Sequence, residues 1–319
     1  MSRSLKNQLT FAINQNFSEG MDKHSIKSEN KEMTEKVYSY NEKFRLCDVM
    51  KNFAIKDYNL NKKQYYNMSI ILRQVLEYAV LKHLINDNPI KHFKLATKGL
   101  RKDKKKKNYT QVYFVEEKKQ MESLLLKDFS EGIKNTILLA ILFVFQTGLR
   151  LGELVTLKWS DINGDMLTVQ RTENRYRTIN PDGTKGEYVI GIKENTKGAD
   201  GEREVYLTPK ARDLLKMIKK ANFKNGYESE FIFVYEKGRM HERCVDNCIR
   251  KYCRKLHINE RSTHKIRKTY ISSLINAGVN LNAVREQVGH KDAKTTLNCY
   301  CYNRYDDSQT HDSIAKAVY

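Results

Sequence analysis

The stretch from Arg101 to Asn108, RKDKKKKN, constrains this chain more than any other eight residues, because six of them are Lys or Arg and only one is acidic. Like charges at that density repel one another and keep their side chains in water, so no core can include them. The chain is therefore expected to divide into residues 1–100 and 110–319, joined by a basic linker over 101–109. A length of 319 residues suits two domains of ordinary size. The linker adds to a wider excess, 58 Lys and Arg against 38 Asp and Glu, a formal net charge of +20. Self-repulsion of that size points to a polyanionic partner, and double-stranded DNA is the first to consider. Two basic units on a basic tether suit a protein that wraps a duplex, with Arg101, Lys102, Lys104, Lys105, Lys106 and Lys107 lying along phosphates and releasing counterions.

Several classes drop out. Hydrophobic residues make up 40% of the chain, enough to build packed cores and exclude wholesale disorder. The longest apolar run, Ile137 to Phe145, falls well short of the roughly 20 residues a membrane span needs. The opening MSRSLKNQLTFAINQNF has no apolar segment of the kind that directs secretion, and the six Cys lack the close even spacing of a disulfide framework. A cytoplasmic, reducing environment is the expectation. No G-x-x-x-x-G-K-[ST], H-E-x-x-H or paired C-x-x-C occurs. His241, Cys244, Cys248, Cys253 and His257 crowd one segment, but Val245, Cys248, Ile249, Tyr252 and Leu256 form a helical apolar stripe that assigns these cysteines to a core. Neither a metal nor a cofactor is expected.

The period of the apolar residues gives a mainly helical α+β chain. Residues 1–100 read as a helical bundle. Its clearest helix is 62–86, with Met68, Leu72, Val75, Leu76, Ala79, Val80 and Leu84 inward and Lys63, Tyr65, Asn67 and Arg73 opposite; Lys63 and Arg73 are candidate DNA contacts. Weaker helices are expected at 4–18 and 38–57. Beyond the linker, 114–127 and 130–147 read as helices, the second apolar on all sides and stopped by Gly148. Short β-type runs at 165–170, 187–192 and 203–207, separated by the turn signals NPDG and KGADG, suggest one small antiparallel sheet. Thr208-Pro209 caps a helix to about 222, and further helices are expected at 240–257, 264–277, 280–288 and 292–302.

Four short segments carry the chemistry. TGLRLGEL sets Arg150 beside a glycine turn, where pairing to Glu153 would be an equally ordinary use for it. THKIR places His264 and Arg267 three apart on one helical face, so both can reach one phosphate. Val288-Gly289-His290 sits at a turn between helices, and TTLNCY puts Tyr300 ten residues after His290. Two guanidiniums can neutralise a phosphodiester and stabilise its pentacoordinate state. A tyrosine phenol, mostly protonated at neutral pH, needs a base before it can attack; His264 is the candidate, with His290 bonding the transition state.

In this order and spacing the four segments resemble the tyrosine recombinase (phage integrase) family, over residues 110–319 strongly and over 1–100 more loosely as a core-binding domain. The resemblance implies a DNA breaking-rejoining fold, and a site made of Arg150, His264, Arg267, His290 and the nucleophile Tyr300. It also implies a lysine on a sheet turn, Lys197 in ENTKGADGEREVYL with Lys193 as runner-up. Tyr302 is the alternative nucleophile. Further implied are a 3′-phosphotyrosyl intermediate, strand exchange through a Holliday junction by a homo-tetramer, and no need of ATP or metal. The tail 303–319 could pack on its own domain or, as in family members and the favoured reading here, dock on a neighbouring subunit. Integrases of bacterial phages and conjugative elements are the expected relatives.

Other readings are a type IB-like topoisomerase, which shares the catalytic set; a non-catalytic DNA-binding regulator, which predicts lost catalytic residues; and an RNA-binding module, for which no RNP-like aromatic strand exists. The complete residue set favours an enzyme, and the helical N-terminal unit with the tail 303–319 favours recombination over relaxation.

Overall fold

The structure, a computed structural model, describes residues 55–56, 58–88, 90–91, 98–102, 108–132, 136–181, 184–194, 202–290, 296–297, 302–305 and 307–317. The chain forms two compact units, Met1–Lys105 and Lys106–Tyr319.

In the first unit, helix α1 (Lys62–Leu81) begins at a reciprocal cap: Gln64 N–H donates to Asn61 Oδ1 at 2.8 Å, and Asn61 N–H donates to Gln64 Oε1 at 3.0 Å. It ends five residues before the expected 86, because His83 turns left-handed at φ +56°. The inward face also differs from expectation. Tyr65 and Met68 are buried with Leu60, against Leu72 and Leu100, while Val75 is 56% exposed and Leu84 64%. Val75 stands at the edge of the Tyr65–Met68–Leu72 stripe, and Leu84 lies past the helix end. Lys63 is exposed on this helix and Arg73 half-buried, whereas Tyr65, expected beside them, is core. Arg101 pairs by its backbone with Leu60 O at 3.1 Å, and its side chain and that of Lys102 are exposed. The helices expected at 4–18 and 38–57 lie outside the described residues apart from 55 and 56, as do Lys104, Lys105, Lys106 and Lys107.

The second unit is built around helix α3 (Ile137–Thr147), whose sequence ILLAILFVFQT is buried on almost every side. It packs against α2 (Val115–Ser130), α5 (Pro209–Lys224), α6 (Glu242–Lys255) and α7 (Thr263–Asn276). Between α3 and α5 come the one-turn helix α4 (Leu151–Leu154) and the strands. The sequence suggested a single sheet, but among the described residues the strands between α3 and α5 form two. Strands β1 (Ile162–Asn163), β2 (Met166–Val169) and β5 (Arg203–Tyr206) form one antiparallel sheet in the order β1-β2-β5, with Leu167 opposite Val205 in the core.

Strands β3 (Arg171–Ile179) and β4 (Lys185–Glu194) form a separate ribbon. Strand β3, RTENRYRTI, has no apolar alternation, because most of the ribbon faces water on both sides. Sequence patterning therefore missed it. A short hairpin, β6 (Val234–Tyr235) with β7 (Gly238–Arg239), leads into α6. Helix α8 (Leu281–Val288) follows α7, and α9 (Asp307–Ala317) ends the described chain. Of the helix expected at 292–302, only Thr296 and Leu297, both helical, and Tyr302 are described. No helix among the described residues is long and apolar enough to cross a membrane.

Candidate active site

Helix α3 stops where Gly148 adopts φ +63°, and a Cβ there would lie 2.2 Å from the Tyr270 ring. Only glycine fits both the left-handed backbone and this approach. The sharp turn lets α4 start at once, with Arg150 as its N-cap. A second left-handed glycine, Gly289 at φ +68°, ends α8 beside the Arg203 side chain.

The two turns are tied together by arginines. Arg267, 1% exposed on α7, donates Nη1–H to Gly148 O at 2.8 Å and Nη2–H to Val288 O. Arg150 donates Nη2–H to Gly289 O at 3.1 Å. The sequence segments containing Arg150, Arg267 and His290 are thus braced at one place.

One carboxylate organises the cations. Glu153, 3% exposed, accepts from the Arg150 backbone N–H at 2.9 Å and from Arg150 Nη1 at 2.8 Å. Arg203, at the start of β5, adds a bidentate pair at 2.9 and 2.7 Å. Burial alone would raise this carboxyl, but the bonds from Arg203 and the fields of Arg203, Arg150 and Arg267 overcome it and hold the group at about 2. The pairing of Arg150 with Glu153 and its role in the site coexist, since the Arg150 side chain remains half-exposed.

A cavity of ≈340 Å³ opens beside this brace, lined by Arg150, His264 and Arg267 together with Thr172, Glu242 and Thr263. His264 is exposed at the start of α7. Desolvation and then the charges of Lys268, Arg267, Lys265 and Arg150 push its imidazole down to about 4. His290 is buried with Nδ1 2.9 Å from Thr296 Oγ1. Desolvation, followed by Arg267, Arg150, Arg203 and His264, takes it to about 4 as well. Both rings are therefore neutral at pH 7, able to accept a proton or donate one N–H, inside a strongly cationic surround. A bound phosphodiester is the group such a surround accommodates, and its negative charge would move both imidazoles back up.

Of the expected site residues, Arg150, His264, Arg267 and His290 are gathered here, while Lys197 and Tyr300 lie outside the described residues. Lys193, the runner-up for the lysine, is exposed on β4 opposite Thr172. Tyr302 is half-buried, and Lys268 Nζ donates to its hydroxyl at 2.9 Å. Sequence reasoning missed Arg203 as the partner of Glu153, because nothing in EREVYL marks a residue whose mate is 50 positions away. It also missed Asp246, which receives the Thr263 N–H at 2.9 Å and its hydroxyl at 2.6 Å, fixing the first turn of α7. The segment of clustered Cys and His has other uses. His241 Nδ1 meets Glu173 at 2.8 Å, Cys253 is buried against the Tyr113 hydroxyl, and Cys244 and Cys248 pack on the core.

A family model described as the phage integrase family matches residues 115–307. The integrase of Staphylococcus phage L54a is 26% identical over 266 residues, covering 78% of this chain and 73% of that protein. The ICEBs1 integrase of Bacillus subtilis is 23% identical, covering 76% and 62%. A XerC-like tyrosine recombinase of Caldanaerobacter subterraneus is 29% identical, covering 56% of this chain and 48% of its own length. Among solved structures, the Tn1549 transposon integrase in complex with transposon right end DNA superposes with a TM-score of 0.62 at 19% identity, over 95% of this chain and 97% of that one. XerH bound to difH in a pre-cleavage complex gives 0.51 at 16% identity, over 85% and 70%.

Proposed function

Since the chain belongs to the phage integrase family and is a tyrosine-type site-specific DNA recombinase, we propose that the Arg150–Arg267 cavity holds the scissile phosphate and that Tyr300 attacks it. The observation that carries this reading is the brace itself: two guanidiniums from different helices, fixed on carbonyl oxygens of two glycine turns, beside two neutral imidazoles. Charge placed in advance where a pentacoordinate phosphate will form costs no reorganisation during reaction.

His264 takes the phenolic proton as Tyr300 Oη bonds to phosphorus. The 5′-oxygen leaves, receiving a proton from Lys197, and a 3′-phosphotyrosyl bond remains. His290 donates to a non-bridging oxygen. Because the phosphodiester's energy is kept in the protein–DNA bond, rejoining needs no ATP. Attack by a 5′-hydroxyl from a second duplex on the phosphotyrosyl phosphorus breaks the bond to Tyr300, whose phenol regains its proton from His264; exchange of one strand from each duplex makes a Holliday junction, for which four copies of the chain assemble, with α9 and the residues around it docking on a neighbour. Lys63, Arg73, Arg101, Lys102 and Lys104 to Lys107 grip the duplex backbone from the helical unit and the basic stretch. The relatives from a bacterial phage and from Bacillus subtilis support a place in the bacterial cytoplasm, where the DNA of such hosts lies. The relatives from a phage and from ICEBs1 favour integration and excision of a mobile element over topoisomerase-like relaxation.

Support for Tyr300 over Tyr302 comes from its place in TTLNCY, ten residues after His290, the spacing by which the segment resembles the family's nucleophile segment. The test is covalent trapping in EDTA on a nicked duplex carrying the cognate site, read on a denaturing gel. An adduct formed by the wild type and by Tyr302→Phe but not by Tyr300→Phe supports the assignment. Its loss only in Tyr302→Phe would move the nucleophile by two residues, and no adduct at all despite tight binding would refute cleavage.

A further inference from the structure

We propose that Lys268 and Tyr302 are positioning residues for the nucleophile: one ammonium on α7 clasps the chain two residues beyond Tyr300 and thereby fixes where that tyrosine reaches. The proposal rests on the reading of Tyr300 as nucleophile.

Helix α7 carries two sets of side chains. His264 and Arg267 look into the phosphate cavity. Lys268, one turn after His264, together with Thr269, Ser272 and Ser273, meets the chain on either side of the site. Lys268 is 8% exposed. Its Nζ donates to Tyr302 Oη at 2.9 Å and to Gln111 Oε1 at 3.3 Å, and it lies 4.7 Å from the centre of the Tyr302 ring. An ammonium withdrawn from water is costly unless its protons are engaged, and here a hydroxyl, an amide oxygen and an aromatic face engage them.

The grip extends along the chain. Tyr302 N–H donates to Ser272 Oγ at 3.2 Å. Arg304, also 8% exposed, donates Nε–H to Tyr113 O at 3.2 Å and Nη1–H to Ser273 Oγ. Val115 N–H returns a bond to Arg304 O at 3.3 Å. Tyr113 is itself tied to α7, its N–H donating to Thr269 Oγ1 at 2.8 Å.

Residues 302–304 are therefore fastened to the same helix that presents His264 and Arg267. Two peptide units separate Tyr302 from Tyr300, which limits their Cα separation to about 7 Å. A rigid helix holding both the phosphate-binding face and this anchor sets the distance between base, phosphate and nucleophile. Lys268 and Tyr302 touch none of the reacting atoms; they act through Tyr300.

Two reactions separate this role from a structural one. Cleavage of a nicked cognate duplex requires Tyr300. Ligation of a duplex bearing a 3′-p-nitrophenyl phosphate opposite a 5′-hydroxyl does not: the hydroxyl oxygen bonds to phosphorus, its proton passes to a base, and p-nitrophenolate leaves. This second reaction needs only the Arg–His cavity. Tyr302→Phe, which removes one hydroxyl and keeps the ring, should slow single-turnover cleavage roughly tenfold, and Lys268→Met roughly 10- to 100-fold. Lys268→Arg should recover part of the rate. Ligation of the nitrophenyl duplex should stay within about twofold of wild type in Tyr302→Phe and Lys268→Arg, both of which keep the positive charge beside His264. Unchanged cleavage in Tyr302→Phe would overturn the proposal, and so would equal losses in cleavage and ligation, which would make these residues supports of the cavity. Failure of the underlying reading shows itself separately: Tyr300→Phe would still form the covalent adduct.

Discussion

Glu153 offers no proton to DNA at neutral pH, yet Arg150 and Arg203 both point donors at it, and the geometry of Arg150 depends on it. A buried ion pair broken from one side leaves an uncompensated charge, so Glu153→Gln should cost about 3–5 kcal/mol in urea unfolding. A loss below about 1 kcal/mol would show that Arg203 finds another partner. The folded-state carboxyl sits near 2 against 4.5 for the free group, so its contribution is fully present above pH 4.5 and disappears as pH falls towards 2. His290 acts over a different window. Its folded value of about 4 lies below 6.5, so the unfolded chain binds the extra proton between those values and stability falls as pH drops through them. Going from pH 7 to pH 5 should remove on the order of 2 kcal/mol at most through this buried ring. Urea titrations of wild type and His290→Gln at both pH values check it; equal slopes in the two proteins would exclude the histidine as the source.

At the level of elements, the left-handed end of α3 does more than stop a helix. The carbonyl of Gly148 is where Arg267 anchors, and the missing Cβ is where Tyr270 packs. Gly148→Ala should therefore cost roughly 1–3 kcal/mol in strain and overpacking and should also depress cleavage, because Tyr270 or the turn must move. Thermal melting and adduct formation measured on one preparation decide it. A melting change with full cleavage would show the turn to be free of the site. The ribbon β3–β4 teaches the opposite lesson about patterning. Its strands are set by each other's backbone, residue by residue from Arg171 opposite Glu194 to Arg177 opposite Tyr188, with almost no buried face to leave an alternation in the sequence.

For the whole molecule the governing quantity is charge, +20 in total. The division into two compact units falls between Lys105 and Lys106, inside the basic stretch. Replacing Lys104 to Lys107 with Ala should weaken binding to every duplex alike and flatten the salt dependence by about 0.9 log–log unit for each phosphate that the protein no longer neutralises. Fluorescence anisotropy from low to physiological salt measures this slope; an unchanged slope would leave the stretch a plain tether.

The sequence alone determined helices α2 to α8, because apolar spacing, proline and glycine act locally. It also marked Arg150, His264, Arg267 and His290, because each lies in a short segment whose residue types suit a phosphate. The face that α1 buries, the split of the strands into two sheets, the bidentate hold of Arg203 on Glu153 and the clasp of Lys268 on Tyr302 came only from the tertiary structure. Each of these depends on residues brought together across many positions of chain, or on which side of an element meets a neighbour. An isolated Lys or Glu in a sequence carries no trace of the partner that burial will give it.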